Sequence, residues 1–157
     1  MNKNEPIGDF QRNDKQQIKD VVTTVASLQD LRQWEQLEEY FVKTPFVDDK
    51  SITGETPSTM SRHRLVDGWR REIGSYFYST RHFIKRLAVR MVNSRRAKVS
   101  TSVEHKHYVA DRGERYVWTV RGTIDYILVK TSSGSWKISQ MIFHLQDQAV
   151  RPLGAAA

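Results

Sequence analysis

Five histidines and no cysteine set the chemistry open to this chain. Without a thiol there is no disulfide framework, no thiolate metal ligand and no cysteine nucleophile. Imidazole and carboxylate remain, and together they make a general base at neutral pH. The carboxylate fixes the tautomer and stabilises the imidazolium left after proton transfer. His82 lies at the centre of Ser79-Thr80-Arg81-His82-Phe83-Ile84, a strand-like run. His105 and His107 are two apart, a spacing that puts both on one face of a strand. With His82 they could form a three-imidazole metal site. No carboxylate is placed to orient such ligands, and no metal or other cofactor is expected. His63 falls on the polar side of a helical pattern, and His144 falls late in the last strand, at a cavity rim or on the surface. Asp30 stands between two helical patterns, where it could cap the second. His82 by itself could be a core histidine bonded to a backbone carbonyl. Asp48 and Asp49 read as loop or rim carboxylates, and Asp125 as a cavity acid or the partner of an arginine.

The elements that must hold these residues follow from periodicity. Asn13 or Asp14 can cap a first helix, in which Ile18, Val21, Val22, Val25 and Leu28 recur on one face. A second helix follows at once, with Leu31, Trp34, Leu37 and Phe41 inward and Glu35, Gln36, Glu38 and Glu39 outward. Phe46 to Asp49 reads as a short strand and Ser51 to Pro57 as a loop. Thr56-Pro57 starts a third helix, lined by Met60, Leu65, Val66, Trp69 and Ile73 and ended by Gly74. From Tyr76 onward the period becomes two. Tyr78, Thr80, His82 and Ile84 share a face, but Leu87, Val89 and Met91 continue the apolar set on the other parity, so a β-bulge is expected near Lys85-Arg86. Three more long strands follow, separated by turns at Arg95-Arg96, Asp111 to Glu114 and Ser132 to Gly134. The third of the four long strands carries large side chains on both faces and is expected to be covered on both.

Helices followed by long antiparallel strands argue for an α+β fold: a strongly bent, cone-shaped sheet with three N-terminal helices in its concave face. Such a cone leaves a cavity, the default small-molecule site. Trp69, Tyr78 and Phe143 are expected in its wall. At 157 residues the chain is one domain over 13–149, with residues 1–12 and 150–157 flexible. It is long enough to bury roughly two-thirds of its unfolded surface. Its 38% hydrophobic and 27% charged residues fit a folded protein. No secretory signal or membrane span is visible, so a cytoplasmic protein is expected. The formal charge of +7 suits either solubility or an anionic ligand. The basic residues are spread over several elements with no nucleic-acid-binding motif, and nucleic acid is not expected as a partner.

Several short stretches resemble SnoaL-like proteins, the polyketide cyclases and relatives of the nuclear-transport-factor-2-like superfamily. Leu28-Gln29-Asp30-Leu31-Arg32-Gln33-Trp34, with Leu37 and Phe41, is similar to their second-helix signature. Gly54 and Leu65-Val66-Asp67-Gly68-Trp69 resemble the glycine and helix that follow. Thr80-Arg81-His82-Phe83 resembles their threonine-x-histidine strand, and Gly134-Ser135-Trp136-Lys137-Ile138 their final hairpin. The likeness spans residues 14–148. Within the superfamily, scytalone dehydratase and hexachlorocyclohexane dehydrochlorinase look most similar in polar residues. The resemblance implies a dyad in which a histidine at His82 abstracts a proton and an aspartate at Asp30 orients it. It also puts a second pocket histidine at His107, with Asp125 where the dehydratase has an asparagine. Two substrate-polarising tyrosines of the dehydratase fall at Gln29 and Asp49, so electrophilic assistance would come from elsewhere. The implied activity is cofactor-independent dehydratase, dehydrohalogenase, isomerase or cyclase chemistry on a hydrophobic small molecule, in a homodimer. Small subunits of ring-hydroxylating dioxygenases, which are non-catalytic scaffolds, look similar too, and a carrier without chemistry is a third expectation.

Overall fold

The computed structural model describes residues 7–155. Helix α1 (Ile7–Asp30) is followed by a short α2 (Trp34–Glu38), strand β1 (Phe41–Asp48), a single turn α3 (Lys50–Thr53), β2 (Ser58–Thr59) and helix α4 (Arg62–Tyr76). Four long strands complete the chain: β3 (Ser79–Asn93), β4 (Arg96–Asp111), β5 (Glu114–Lys130) and β6 (Trp136–Ala155). They form one curved sheet in the order β2-β1-β6-β5-β4-β3, antiparallel except where β1 runs parallel to β6. The α+β architecture is as expected, with helices over one side of a bent sheet.

The apolar stripe of α1 is buried as its period requires: Ile18, Val22 and Val25 are almost wholly enclosed. The helix begins at Ile7, ahead of the expected cap, and residues 1–6 lie outside the described residues. Asp14 is therefore interior to the helix. Its carboxylate accepts hydrogen bonds from Lys130 Nζ (3.1 Å) and Trp136 Nε1 (3.0 Å), fastening α1 to the ends of β5 and β6.

The second helix is shorter than its sequence pattern. Arg32 takes a left-handed backbone (φ 60°). The Gln33 N–H donates to Leu28 O (3.0 Å) and the Arg32 N–H to Gln29 O (3.2 Å), the paired bonds of a Schellman ending. A left-handed arginine is unusual there, since only glycine adopts that region without steric cost. Leu31 consequently points outward at 65% exposed, and Phe41 is fully buried as the first residue of β1, not as the end of a helix.

Thr56-Pro57 does not start α4. The chain stays extended through β2, and Ser61 caps the helix instead, its hydroxyl accepting from the Arg64 N–H at 3.2 Å. Within the expected loop, Ser51 in α3 donates to Phe143 O (2.8 Å) and accepts from Leu145 N–H (3.0 Å), joining that turn to β6. Gly74 does not end α4 either; a Cβ there would lie 3.1 Å from the Trp34 ring, so the glycine makes room for an indole.

In β3 the pairing slips between Ile84, opposite Val103, and Arg86, opposite Ser102, which is the expected bulge. In β5 one face is buried through Val120, Ile124, Tyr126 and Leu128, while Arg121 and Asp125 are exposed. The expectation that both faces are covered is thus not met within one chain. The last strand continues through residues 150–155, opposite Glu114 to Trp118, so this segment is paired strand and not the flexible tail expected. No helix among the described residues is long and apolar enough to cross a membrane.

Gly122 sits where β6 carries an extra residue between Asp147 and Leu145. A Cβ on it would come within 2.2 Å of the His144 carbonyl oxygen, and backbone cannot rotate away as a side chain can. Gly122→Ala is expected to destabilise the protein by about 1–3 kcal/mol, read as a lower urea midpoint at unchanged slope.

Candidate active site

The C-terminus of α1 runs up to the start of β3, and there a carboxylate meets an imidazole. Asp30 Oδ1 lies 2.5 Å from His82 Nδ1, and Asp30 Oδ2 accepts the His82 backbone N–H at 2.9 Å. The Thr80 hydroxyl donates to Asp30 Oδ1 at 3.1 Å. Three donors from one strand therefore converge on one carboxylate. Burial raises the Asp30 carboxyl, but the hydrogen bonds and charge of His82, with Thr80, outweigh it and hold the group below its ordinary value. Asp30 is an anion at neutral pH, and His82 Nδ1 carries the proton toward it. The His82 side chain is only 4% exposed.

Arg32 braces this junction. Its guanidinium donates to Thr80 Oγ1 (2.9 Å), Phe77 O (3.2 Å) and Gln29 O (3.2 Å). One side chain thus spans the end of α1 and the entry to β3, and the left-handed backbone at Arg32 aims it. Nothing in residue spacing marks Arg32 for this role. The signal would have been a helix break without a glycine, which periodicity alone does not reveal.

His82 opens on a cavity of about 520 Å³ between the helices and the sheet. His105 and His107 on β4 line the same wall, with ring centroids 4.3 Å and 5.8 Å from that of His82. His107 Nδ1 donates to Trp118 O (3.3 Å), and the ring is stacked between Phe77 and Trp118. Burial, with the nearby charge of His82, pushes His107 down to about 4. Burial pushes His105 down to about 2, the charges of His82 and His107 adding to it. Both are neutral imidazoles at physiological pH. Among the described residues no group of three or more His, Cys, Asp or Glu is arranged to hold a metal ion.

Trp69, Phe143 and Asp49 also line the cavity. Two expected members do not. Tyr78 precedes β3, is 54% exposed and packs on Tyr108; Phe77 takes the inward position instead. Asp125 alternates with the inward Ile124 and Tyr126 and so faces out, where its carboxylate lies 3.4 Å from His144 Nε2. His144 is accordingly on the outer surface, and His63 is exposed beside Glu38. Sequence reasoning also missed Tyr126 and Glu72. Tyr126 is buried in the cavity wall, and burial pushes its phenol up. Glu72 is at the mouth, raised by burial and then by the charges of Glu55 and Asp49. Of the lysines and arginines among the described residues, only Arg71 lines the cavity.

A family model for the SnoaL-like domain matches residues 11–142. Among solved structures, the chain is similar to the Kfla4162 protein from Kribbella flavida (24% identity, TM-score 0.79, covering 88% of this chain and 95% of that one). It is similar to a candidate scytalone dehydratase from Novosphingobium aromaticivorans (18% identity, TM-score 0.76, 96% and 95%). It is also similar to the LinA-type3 hexachlorocyclohexane dehydrochlorinase from Novosphingobium barchaimii (13% identity, TM-score 0.75, 92% of each). At such identities the likeness is one of fold. No curated protein matches the chain. The family match, extending from α1 to β6, means that this chain belongs to the SnoaL-like domain family of nuclear-transport-factor-2-like folds.

Proposed function

We propose that this chain is a cofactor-independent acid–base enzyme, a lyase or isomerase, acting on a hydrophobic small molecule in the cavity. The observation that supports it is the Asp30–His82 contact of 2.5 Å at the wall of a mostly apolar hollow. With Nδ1 engaged by the carboxylate, Nε2 is the basic nitrogen, and it takes a proton from substrate carbon. Asp30 holds the ring and offsets the charge formed on it. His107, locked by Trp118 O and two aromatic rings, shapes the wall. Elimination of water or halide, isomerisation and aldol-type cyclisation all begin with this proton transfer. The fold's outer sheet face, open in one chain, is proposed as the homodimer interface.

The test is hydrogen exchange into a panel of cyclic compounds with an acidic C–H, in deuterated buffer. His82→Ala is expected to lower the exchange rate by about 10²–10⁴-fold with the fold retained. Full exchange in that variant overturns the base assignment. Ligand occupancy without exchange in the unmodified protein favours a carrier, and co-purification with an iron–sulfur protein favours a scaffold subunit.

A further inference from the structure

One buried polar side chain in the cavity wall has no protein partner and stands far from the dyad. Tyr126 on β5 is 5% exposed and lines the hollow. Burial alone accounts for the upward shift of its phenol, with no hydrogen bond contributing, and its hydroxyl bonds to no protein group. Thr101, buried on the neighbouring strand, gives its proton to Ile124 O at 2.9 Å; Tyr126 has no such outlet. Among the described residues no side-chain nitrogen or oxygen is both sealed from the surface and unpartnered. The Tyr126 hydroxyl is therefore reached from the hollow.

Strand register fixes how far this group lies from the proposed base. His82 is level with His105 on β4 and with Val120 on β5, and the β4–β5 ladder continues from there without a slip. Tyr126 is six residues further along β5, on the same face. At about 3.3 Å per residue that is about 20 Å along the curved sheet. Its own level is otherwise apolar, with Val99 on β4, Met141 on β6 and Val47 on β1 in the same row. The imidazoles of His82, His105 and His107 gather at the other level.

A buried tyrosine hydroxyl ordinarily finds a partner, because leaving it unbonded in an apolar enclosure costs free energy. Phenylalanine would fill this row without that cost. Held neutral by burial, the phenol keeps its proton and offers it to an oxygen acceptor. We propose that Tyr126 is a distal specificity residue, whose hydroxyl binds a hydroxyl or carbonyl oxygen at the end of the substrate remote from the carbon that His82 deprotonates. The substrate is thus an elongated ring compound with an apolar middle and an oxygen at its far end. Its orientation rests on His82 being the base; the subsite itself does not.

Tyr126 takes no part in the proton transfer. At this remove it polarises nothing at the reacting carbon. It sets which molecule is held and how far that molecule must reach, and a compact hydrocarbon or halocarbon has nothing to place there.

The probes are 6-hydroxy-2-tetralone and 2-tetralone, which share an acidic C–H beside the ketone and differ by one hydroxyl at the opposite end. Calorimetry on the unmodified protein is expected to show about tenfold tighter binding of the hydroxylated probe. Tyr126→Phe is expected to remove that preference while leaving 2-tetralone within about twofold, the loss of one buried hydrogen bond. Equal affinities in the unmodified protein, an equal loss for both probes in the variant, or a preference that survives the substitution overturns the subsite, as does binding of neither probe. Because the hydroxyl bonds nothing in the protein, Tyr126→Phe is also expected to keep its urea midpoint; a lower one reveals a structural partner and overturns the proposal. Carbon NMR of the tyrosine rings in the unmodified protein decides the matter without a variant. A Tyr126 Cζ resonance that moves with 6-hydroxy-2-tetralone and not with 2-tetralone supports the subsite; one that moves equally with both overturns it. Deuterium exchange at the α-carbon of 2-tetralone keeps the two readings apart. If His82→Ala abolishes exchange while Tyr126→Phe keeps the preference, the subsite fails and the base stands. If exchange persists in His82→Ala while Tyr126→Phe loses the preference, the base assignment falls and the subsite remains.

Discussion

Asp30→Asn is expected to lower kcat by about 10²–10⁴-fold on any substrate that His82 deprotonates, with ligand affinity little changed. The reason is the count of donors. Asp30 now accepts from the His82 backbone N–H, from Thr80 Oγ1 and from His82 Nδ1. A carboxamide has one acceptor oxygen and an NH₂ that must face one of those groups. The backbone N–H can only donate, so the amide oxygen stays with it, and the NH₂ takes the place of Oδ1, where the Thr80 hydroxyl can turn to accept and the imidazole must do so too. It then carries its proton on Nε2 and can no longer take one from substrate. Ring nitrogen NMR would show the proton moved from Nδ1 to Nε2. A variant with unchanged kcat and an unchanged tautomer would show that the carboxylate is structural. Asp30→Ala, which removes the competing amide as well, is expected to keep more activity than the asparagine.

The second large effect is on stability. His105 and His107 are held neutral by burial, at about 2 and about 4. In the unfolded chain both have ordinary histidine values near 6.5. Below that value the unfolded state binds protons that the folded state refuses, so stability falls as pH falls. Each group contributes about 1.4 kcal/mol per pH unit, and the pair on the order of 5 kcal/mol between pH 6 and pH 4. Asp30 adds to the loss at lower pH. Its folded value is depressed, so the stability it supplies is complete above the unfolded carboxyl value and disappears as pH falls through the folded one. Against a typical total of about 5–15 kcal/mol, the histidines alone remove a large share of the stability by pH 4. Denaturant titrations at pH 7, 6, 5 and 4 check this. His107→Phe should remove about half the slope, and a profile flat from 7 to 4 would mean that both rings are hydrated in the folded state.

How much of this was legible beforehand depended on whether a local pattern had competition. The β3 bulge was readable because the apolar parity visibly changes between Ile84 and Leu87, and pairing slips there. The meeting of Asp30 and His82, far apart in sequence, came from a resemblance and not from spacing. The late start of the second helix was hidden because Arg32, not glycine, takes the left-handed position that ends α1. Its side-chain bonds to Thr80 and Phe77, absent from any local window, offset that backbone strain. Asp125 was misplaced because β5 has apolar residues on both parities, Ile127 and Val129 as well as Ile124 and Tyr126, so alternation could not say which face was inward. Tyr78 failed for a related reason: the alternation was extended one residue beyond the strand that enforces it.

Arg32 ties the helix end to the strand entry whether or not anything fills the hollow, while Met141, Phe143 and Ile124 arrive from β5 and β6 on other parts of the sheet. Reactivity and selectivity are therefore inherited from separate parts of the chain. Mutational drift in the distant wall can retune which molecules are accepted without dismantling the proton-transfer apparatus, so directed evolution of new specificities has its natural targets there.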